Sequence, residues 1–280
     1  NIMGISINTN IAATRAGVYL ASNHANLQKS LDRLSSGRRI TEPADDAGGL
    51  AVSMKLEHTS KVLRGVSHNI ANAISLLQTQ DGVLKSIGDI VTRMGELRGM
   101  HADVTKHAND KALYDAEFRD LTGQIEDLAS TQFNGISLFD DAVLPVVMTE
   151  SGTDTFNVSQ ATGDSITAAL DTAAAGQAIT VGLTGAQSVS ANTQANYQAA
   201  IEAVAGLRAE NGGQVRRLQY QLANVETQIT NLTAANGRIM DVDVAAESSN
   251  LARQQVLVQA SAAMTAQANM SNDVALMLLQ

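Results

Sequence analysis

Between residues 63 and 97 two apolar seams run side by side through a stretch without proline. Leu63, Val66, Ile70, Ala73, Leu77, Gln80, Leu84, Ile87, Val91 and Met94 step by three and four without a break. That spacing lines up side chains on one face of an α-helix. Beside them Leu76, Val83, Ile90 and Leu97 recur at strict sevens. One seam suits a two-stranded coiled coil; two adjacent seams make a stripe wide enough to touch at least two neighbouring helices. A helix from about residue 45 to 100 is roughly 80 Å long at 1.5 Å per residue, too long to bury its stripe inside a sphere. The expected fold is therefore mainly α: an elongated rod of long antiparallel helices, a coiled-coil-like bundle, with a small β-hairpin region in the middle of the chain.

The flanking segments read in the same way. Thr9 to Leu34 is helical in pattern, with Leu20, Leu27 and Leu34 seven apart and Leu31 at the half-step, and Gly37 past its last turn. Thr41 to Asp46 carries Pro43 and reads as a connection, with Asp45 or Asp46 placed to cap the next helix. A third helix, after a break near Asn109, aligns Tyr114, Phe118, Leu121, Ile125 and Leu128 and stops at the Asn134-Gly135 turn signal. From Ile136 to Gln194 helical periodicity is lost, and short β-prone runs occur at Leu144 to Met148, Thr155 to Val158 and Ala178 to Leu183. Tyr197, Ile201 and Val204 then lead into Val215, Leu218, Leu222, Val225, Ile229 and Leu232, with Asn211-Gly212-Gly213 expected to interrupt that helix. After Gly237 a last helical segment, rich in Ala, Gln and Met, runs to Gln280 and is expected to need a partner. The expected domains are 1–43 with 238–280 (terminal helical coiled coil), 44–139 with 197–237 (helical rod) and 140–196 (short variable hairpin and loop region).

The chemistry that the chain lacks narrows its function. Nineteen Lys and Arg against 28 Asp and Glu leave a net charge of −9, which disfavours a nucleic-acid backbone or an anionic membrane as partner. No cysteine is present, so disulfides, thiolate metal sites and cysteine nucleophiles fall away together. Aromatics make up 3%, and a core built from Leu, Ile, Val, Met and Ala suits helix packing. No run approaches the length of a membrane span, and NIMGISINTN has no basic region followed by an apolar one, unlike a Sec-type signal peptide. His24, His58, His68, His101 and His107 form no i, i+4 pair and read as surface residues without ligand roles. The adjacent carboxylates Asp140-Asp141 and Glu126-Asp127 read as solvated charge. Asn157, Asn231 and Asn269 each begin an Asn-x-Ser/Thr triplet, read as chance. No phosphate-binding glycine loop or nucleophile elbow occurs. Neither an enzyme nor a cofactor is expected.

Several ordered stretches resemble bacterial flagellin: LSSGRRI (Leu34 to Ile40), ADDAGGLAVS (Ala44 to Ser53), TQFNGISLF (Thr131 to Phe139) and RIMDVDVAAESSNLARQQVL (Arg238 to Leu257). QASAAMTAQANMSNDVALMLLQ is similar to that family's terminal helix, and TFNVSQATGDSIT (Thr155 to Thr167) to its core hairpin. Pro43, in EPADD, is similar instead to the hook–filament junction proteins, which remain an alternative; a helical signalling or surface-binding module is another, from a different class.

The resemblance implies a subunit that self-assembles into the flagellar filament for swimming. It implies a helical homopolymer, secretion through the flagellar type III export apparatus with an export chaperone, and filament cap and junction proteins as further partners, without membrane insertion. Ser and Thr between Thr149 and Thr193 would carry any glycan. Leu20, Leu27, Leu34, Val258 and Met264 are expected to face an inner tubular core, the terminal segments folding as neighbours supply the apolar surface they lack alone. Rod packing is assigned to Leu63, Ile70, Leu77 and Leu84 against Val215, Leu222 and Ile229. Aligning TRMGEL and DAEFRDL with the family places an animal innate-receptor or protofilament contact on Arg93, Leu97 and Glu117; the plainer reading of Arg93 and Glu117 is an ordinary surface pair.

Overall fold

The computed structural model describes residues 10–139, 143–159, 189 and 193–277. The run Ala178 to Leu183, the Asp140-Asp141 pair, the first nine residues, most of the Ser/Thr-rich stretch after Ser159 and the last three residues lie outside the described residues. The described residues form five helices and two small hairpins: α1 (Ile11–Ser36), α2 (Ala47–His101), α3 (Ala108–Ala129), β1 (Gln132–Phe133), β2 (Ile136–Ser137), β3 (Val143–Val147), β4 (Thr155–Ser159), α4 (Gln194–Met240) and α5 (Val244–Met277). The chain is mainly α.

The helix ends follow local chemistry. Asn10 accepts the Ala13 amide at 3.0 Å to open α1, and Gly37 closes it in the left-handed region at φ 69°, where a Cβ would be strained. Asp46 caps α2, its Oδ1 accepting the Gly49 amide at 2.8 Å. His107 caps α3 in a reciprocal box with Asp110, so that helix begins just before the expected break at Asn109. Asn134 (φ 51°) and Gly135 (φ 80°) form the two-residue turn between β1 and β2, both in the region such hairpin turns demand.

Two compact units are present, residues 1–60 with 230–280 and residues 61–229. Both boundaries fall inside α2 and α4, where no loop or breaker marks them.

In the unit of residues 61–229, Leu63, Val66, Ile70, Leu77, Gln80, Leu84, Ile87, Val91 and Met94 are all buried, and of the second seam Leu76 and Leu97 are buried while Val83 and Ile90 are half-buried. Helices α2 and α4 run antiparallel. Gly95 lies against Gln194 and Tyr197 and Gly88 against Val204; Asp81 meets Arg208 and Leu77 meets Asn211. Phe118 of α3 packs edge-on against Tyr197 at 6.5 Å and 84°, and Ile125 is buried on the same helix. The expected β-prone runs pair as β3 and β4, antiparallel, from Val143↔Ser159 to Val147↔Thr155. Their hairpin packs on α4, the Arg217 guanidinium lying 4.5 Å above the Phe156 ring.

Two expectations are corrected. Asn211-Gly212-Gly213 does not interrupt α4, which runs unbroken from Gln194 to Met240. Asn211 is held in the core by donating Nδ2 to the Leu77 carbonyl at 2.9 Å, while both glycines face outward. The helix also continues past Gly237, and the break falls at 241–243, where the Asp243 carboxylate accepts the amides of Ala245 and Ala246 and starts α5.

Candidate assembly surface

Within the unit of residues 1–60 and 230–280, α1 and α5 pack along each other. The residues that turn inward recur at helical spacing: Ala13, Ala16, Leu20, Asn23, Leu27, Ser30 and Leu34 on α1, with Glu247, Leu251, Gln254, Val258, Ser261, Thr265 and Ala268 on α5. Few of these are large and apolar. The seam is stitched by polar contacts instead: Asn10 Nδ2 to the Ala268 carbonyl at 2.8 Å, Asn23 Nδ2 to Ser261 Oγ at 3.3 Å, Asn250 Nδ2 to Ser30 Oγ at 3.3 Å, and Arg33 to Glu247 at 3.9 Å. These pairs step down one helix as they step up the other, so the helices are antiparallel.

Several large apolar side chains nevertheless point outward. Ile11, Val18, Tyr19 and Leu31 on α1 and Val256, Leu257, Met264 and Met270 on α5 are exposed, Val18 at 63% and Met264 at 64%. Of the proposed core-lining residues, Leu20, Leu27, Leu34 and Val258 are half-buried in the α1–α5 seam, while Met264 lies on the open face.

The turn from α1 into α2 is tied to the turn from α4 into α5. The Arg39 amide donates to the Met240 carbonyl at 2.6 Å, its guanidinium to the Ile239 carbonyl at 2.9 Å, and the Val242 amide to the Gly37 carbonyl at 3.1 Å. Ser53 donates to Asn236 at 2.6 Å. Asp45, with only 5% of its side chain exposed, meets Lys29 and Arg33 and accepts the Thr41 amide. The hydrogen bond from Lys29 above all, against the opposing effect of burial and helped by Thr41 and the two cations, holds its carboxyl down at about 2. Sequence spacing offers Asp45 only as a cap candidate; its proximity to Lys29 and Arg33 arises from the tertiary turn and leaves no spacing signal.

On the other unit, Arg93 bonds Glu117 and Glu96 at 2.8 and 2.9 Å, all three side chains being exposed. These partners hold the Arg93 guanidinium more firmly protonated. Leu97, expected to share their surface, is fully buried. One helical turn from Arg93 it has rotated into the second seam, where α2 is covered, so the exposed constellation is Arg93, Glu96 and Glu117. Of the rod-packing set, Leu63, Ile70, Leu77 and Leu84 are buried, while Val215, Leu222 and Ile229 are half-buried. Among the described residues no cluster of metal-ligating side chains occurs, and no helix is long and apolar enough to cross a membrane.

A helix pair with a mixed seam and large apolar side chains left on its outer faces gains by being covered, because burying apolar surface is worth about 25 cal/mol per Å². Fold and surface together define a mainly α protein of long paired helices that leaves apolar helix surface open. The bacterial flagellin N-terminal helical region matches residues 7–143 and the bacterial flagellin C-terminal helical region residues 194–279. The chain belongs to the bacterial flagellin family, whose members are structural proteins of the flagellar filament. It is 34% identical to a flagellin of Halalkalibacterium halodurans over 276 residues, 98% of this chain and 99% of that one. It is 32% identical to a flagellin of Bacillus subtilis over 304 residues, with the same coverage of 98% and 99%. Among solved structures, a putative flagellar hook-associated protein from Vibrio parahaemolyticus shares the fold, with TM-score 0.57 over 70% of this chain and 100% of that one at 17% identity.

Proposed function

We propose that this chain polymerises through α1 and α5 into the extracellular filament that drives swimming. The observation that carries this reading is the apolar surface that the terminal pair leaves open: Val18, Tyr19, Val256 and Met264 are exposed, while the seam between the helices is shared by leucines and by Asn23, Ser30, Asn250 and Ser261. Met264 faces the inner tubular core in the polymer, which Leu20, Leu27, Leu34 and Val258 reach with the part of each side chain that the α1–α5 seam leaves exposed, and neighbouring copies cover the outer faces. The subunit leaves the cell through the flagellar type III export apparatus, accompanied by an export chaperone, and meets cap and junction proteins at the filament ends. Arg93 and Glu117 lie between protofilaments and are the part of the surface open to an animal innate immune receptor in the free subunit.

Electron microscopy of the purified protein in ammonium sulfate tests the first step. Filaments are expected from the native chain and none from a Val18→Asp, Met264→Asp double variant whose thermal midpoint for the helical core is unchanged. Filaments of normal length from that variant would overturn the assembly role given to this face.

A further inference from the structure

Three asparagines precede glycine in this chain: Asn134–Gly135, Asn211–Gly212 and Asn236–Gly237. This dipeptide is prone to internal attack by the second residue's amide nitrogen on the asparagine side chain, because glycine offers no side chain to obstruct the ring that forms. The three sites are chemically equal in sequence and unequal in the fold. Asn211 and Asn236 lie inside α4, where the following amide is committed to the helix ladder. Their side chains are also engaged, Asn211 by donating to the Leu77 carbonyl at 2.9 Å and Asn236 by accepting from Ser53 at 2.6 Å. Asn134 and Gly135 are both exposed and form the tip of a two-residue turn, with the ladder pairs Gln132↔Ser137 and Phe133↔Ile136 on either side. The Gly135 amide lies between the paired residues Phe133 and Ile136 and belongs to no ladder pair.

We propose that Asn134 is a self-modification site of the folded subunit, reacting with water through a cyclic imide. The Gly135 nitrogen, on losing its proton, bonds to Asn134 Cγ; the Cγ–Nδ2 bond breaks and Nδ2 leaves as ammonia, closing a succinimide. Water opens that ring at one of its two carbonyls, leaving either an ordinary aspartyl residue or an isoaspartyl linkage in place of the asparagine. The sum is amide plus water to acid plus ammonia, with no oxidant or reductant. The aspartyl product keeps the backbone and the left-handed turn, to which an aspartate is suited. The isoaspartyl product places an additional carbon in the main chain of a two-residue turn, so the β1–β2 register is lost. That register presents Leu138, whose amide donates to the Thr131 carbonyl at 3.1 Å and whose carbonyl accepts from buried Gln80 at 2.8 Å. Modification at the turn therefore reaches the core of its unit.

Peptide mass mapping tests the proposal on the intact chain, incubated for days in mildly alkaline buffer, with and without urea, then digested at mildly acid pH by a glutamate-specific protease. The fragment between Glu126 and Glu150 contains no other asparagine. The isoaspartyl product is read by its labelling with a protein isoaspartate methyltransferase. In the folded chain, conversion at Asn134 is expected to exceed that at Asn211 and Asn236 by roughly tenfold or more, since the helical sites must first open locally. In urea the three should converge, and Asn134→Gln should remove the signal from that fragment. Equal conversion at all three sites in the folded chain would overturn the proposal, as would an unmodified Asn134 in a folded chain whose urea-treated counterpart reacts.

Discussion

Gln80 Nε2 donates to the Leu138 carbonyl across 2.8 Å, in a place where Gln80 is 1% exposed and Leu138 wholly buried. An amide in the middle of an apolar seam is thereby satisfied, and the segment after β2 is locked to α2. Replacing it by leucine keeps the volume but strands a buried acceptor. Gln80→Leu is expected to lower stability by about 1–3 kcal/mol, read as a shift in the urea midpoint. A midpoint equal to the native one would show that water replaces the lost bond.

Leu77 in the α2 seam is fully buried, whereas Leu222 on α4 is only half-buried. Leu77→Ala should cost about 2–5 kcal/mol, cavity included. Leu222→Ala should cost clearly less, because water already reaches part of its side chain. Thermal melts of the two variants side by side decide the order; the reverse ranking would contradict the packing described.

Arg93 and Leu97 are one turn apart on α2 but differ in kind, exposed against buried. Arg93→Ala is expected to leave the melting temperature close to native, since exposed pairs contribute little. Leu97→Ala should lower stability by about 2–5 kcal/mol. Circular dichroism melts therefore separate the two, and a loss of receptor signalling in Leu97→Ala would be read as unfolding unless its melt were native.

Asp45 carries the acid sensitivity of the turn between α1 and α2. Its carboxyl is held at about 2 in the folded chain against an ordinary 3.8, so the folded state favours the ionised form. Its contribution to stability is complete above the ordinary value and is lost as pH falls from there through about 2. Asp45→Asn should flatten the acid limb of stability against pH in that window. Denaturation midpoints measured down the acid range check this; an unchanged limb would sink it.

What the amino-acid sequence determined by itself is most of what has a short period. The three-and-four spacing from Leu63 to Met94, the strict sevens of Leu76 to Leu97, Gly37 past the end of α1 and the Asn134-Gly135 turn each act within a few residues. Helical hydrogen bonding, capping and turn sterics are local, so residue type and spacing carried these elements. The resemblance of ordered motifs to the flagellin family was legible in the sequence too, as a likeness of residues and not as a consequence of local physics.

Only the tertiary structure decided which side chains those local elements would bring together. Asn211-Gly212-Gly213 reads as a break, yet α4 continues because a carbonyl on α2, at Leu77, receives the Asn211 amide group. Leu97 reads both as a seam residue and as a surface neighbour of Arg93, and the fold decides for the seam: a rotation of about 40° over four residues turns it into the core and leaves Arg93 in water. Asp45 becomes an unusually acidic carboxyl because the turn folds it onto Lys29 and Arg33. The mixed seam between α1 and α5, with large apolar side chains left outside it, follows from pairing residues more than two hundred positions apart. Burial and long-range partnership depend on the neighbours a helix acquires, and periodicity within one helix does not carry that information.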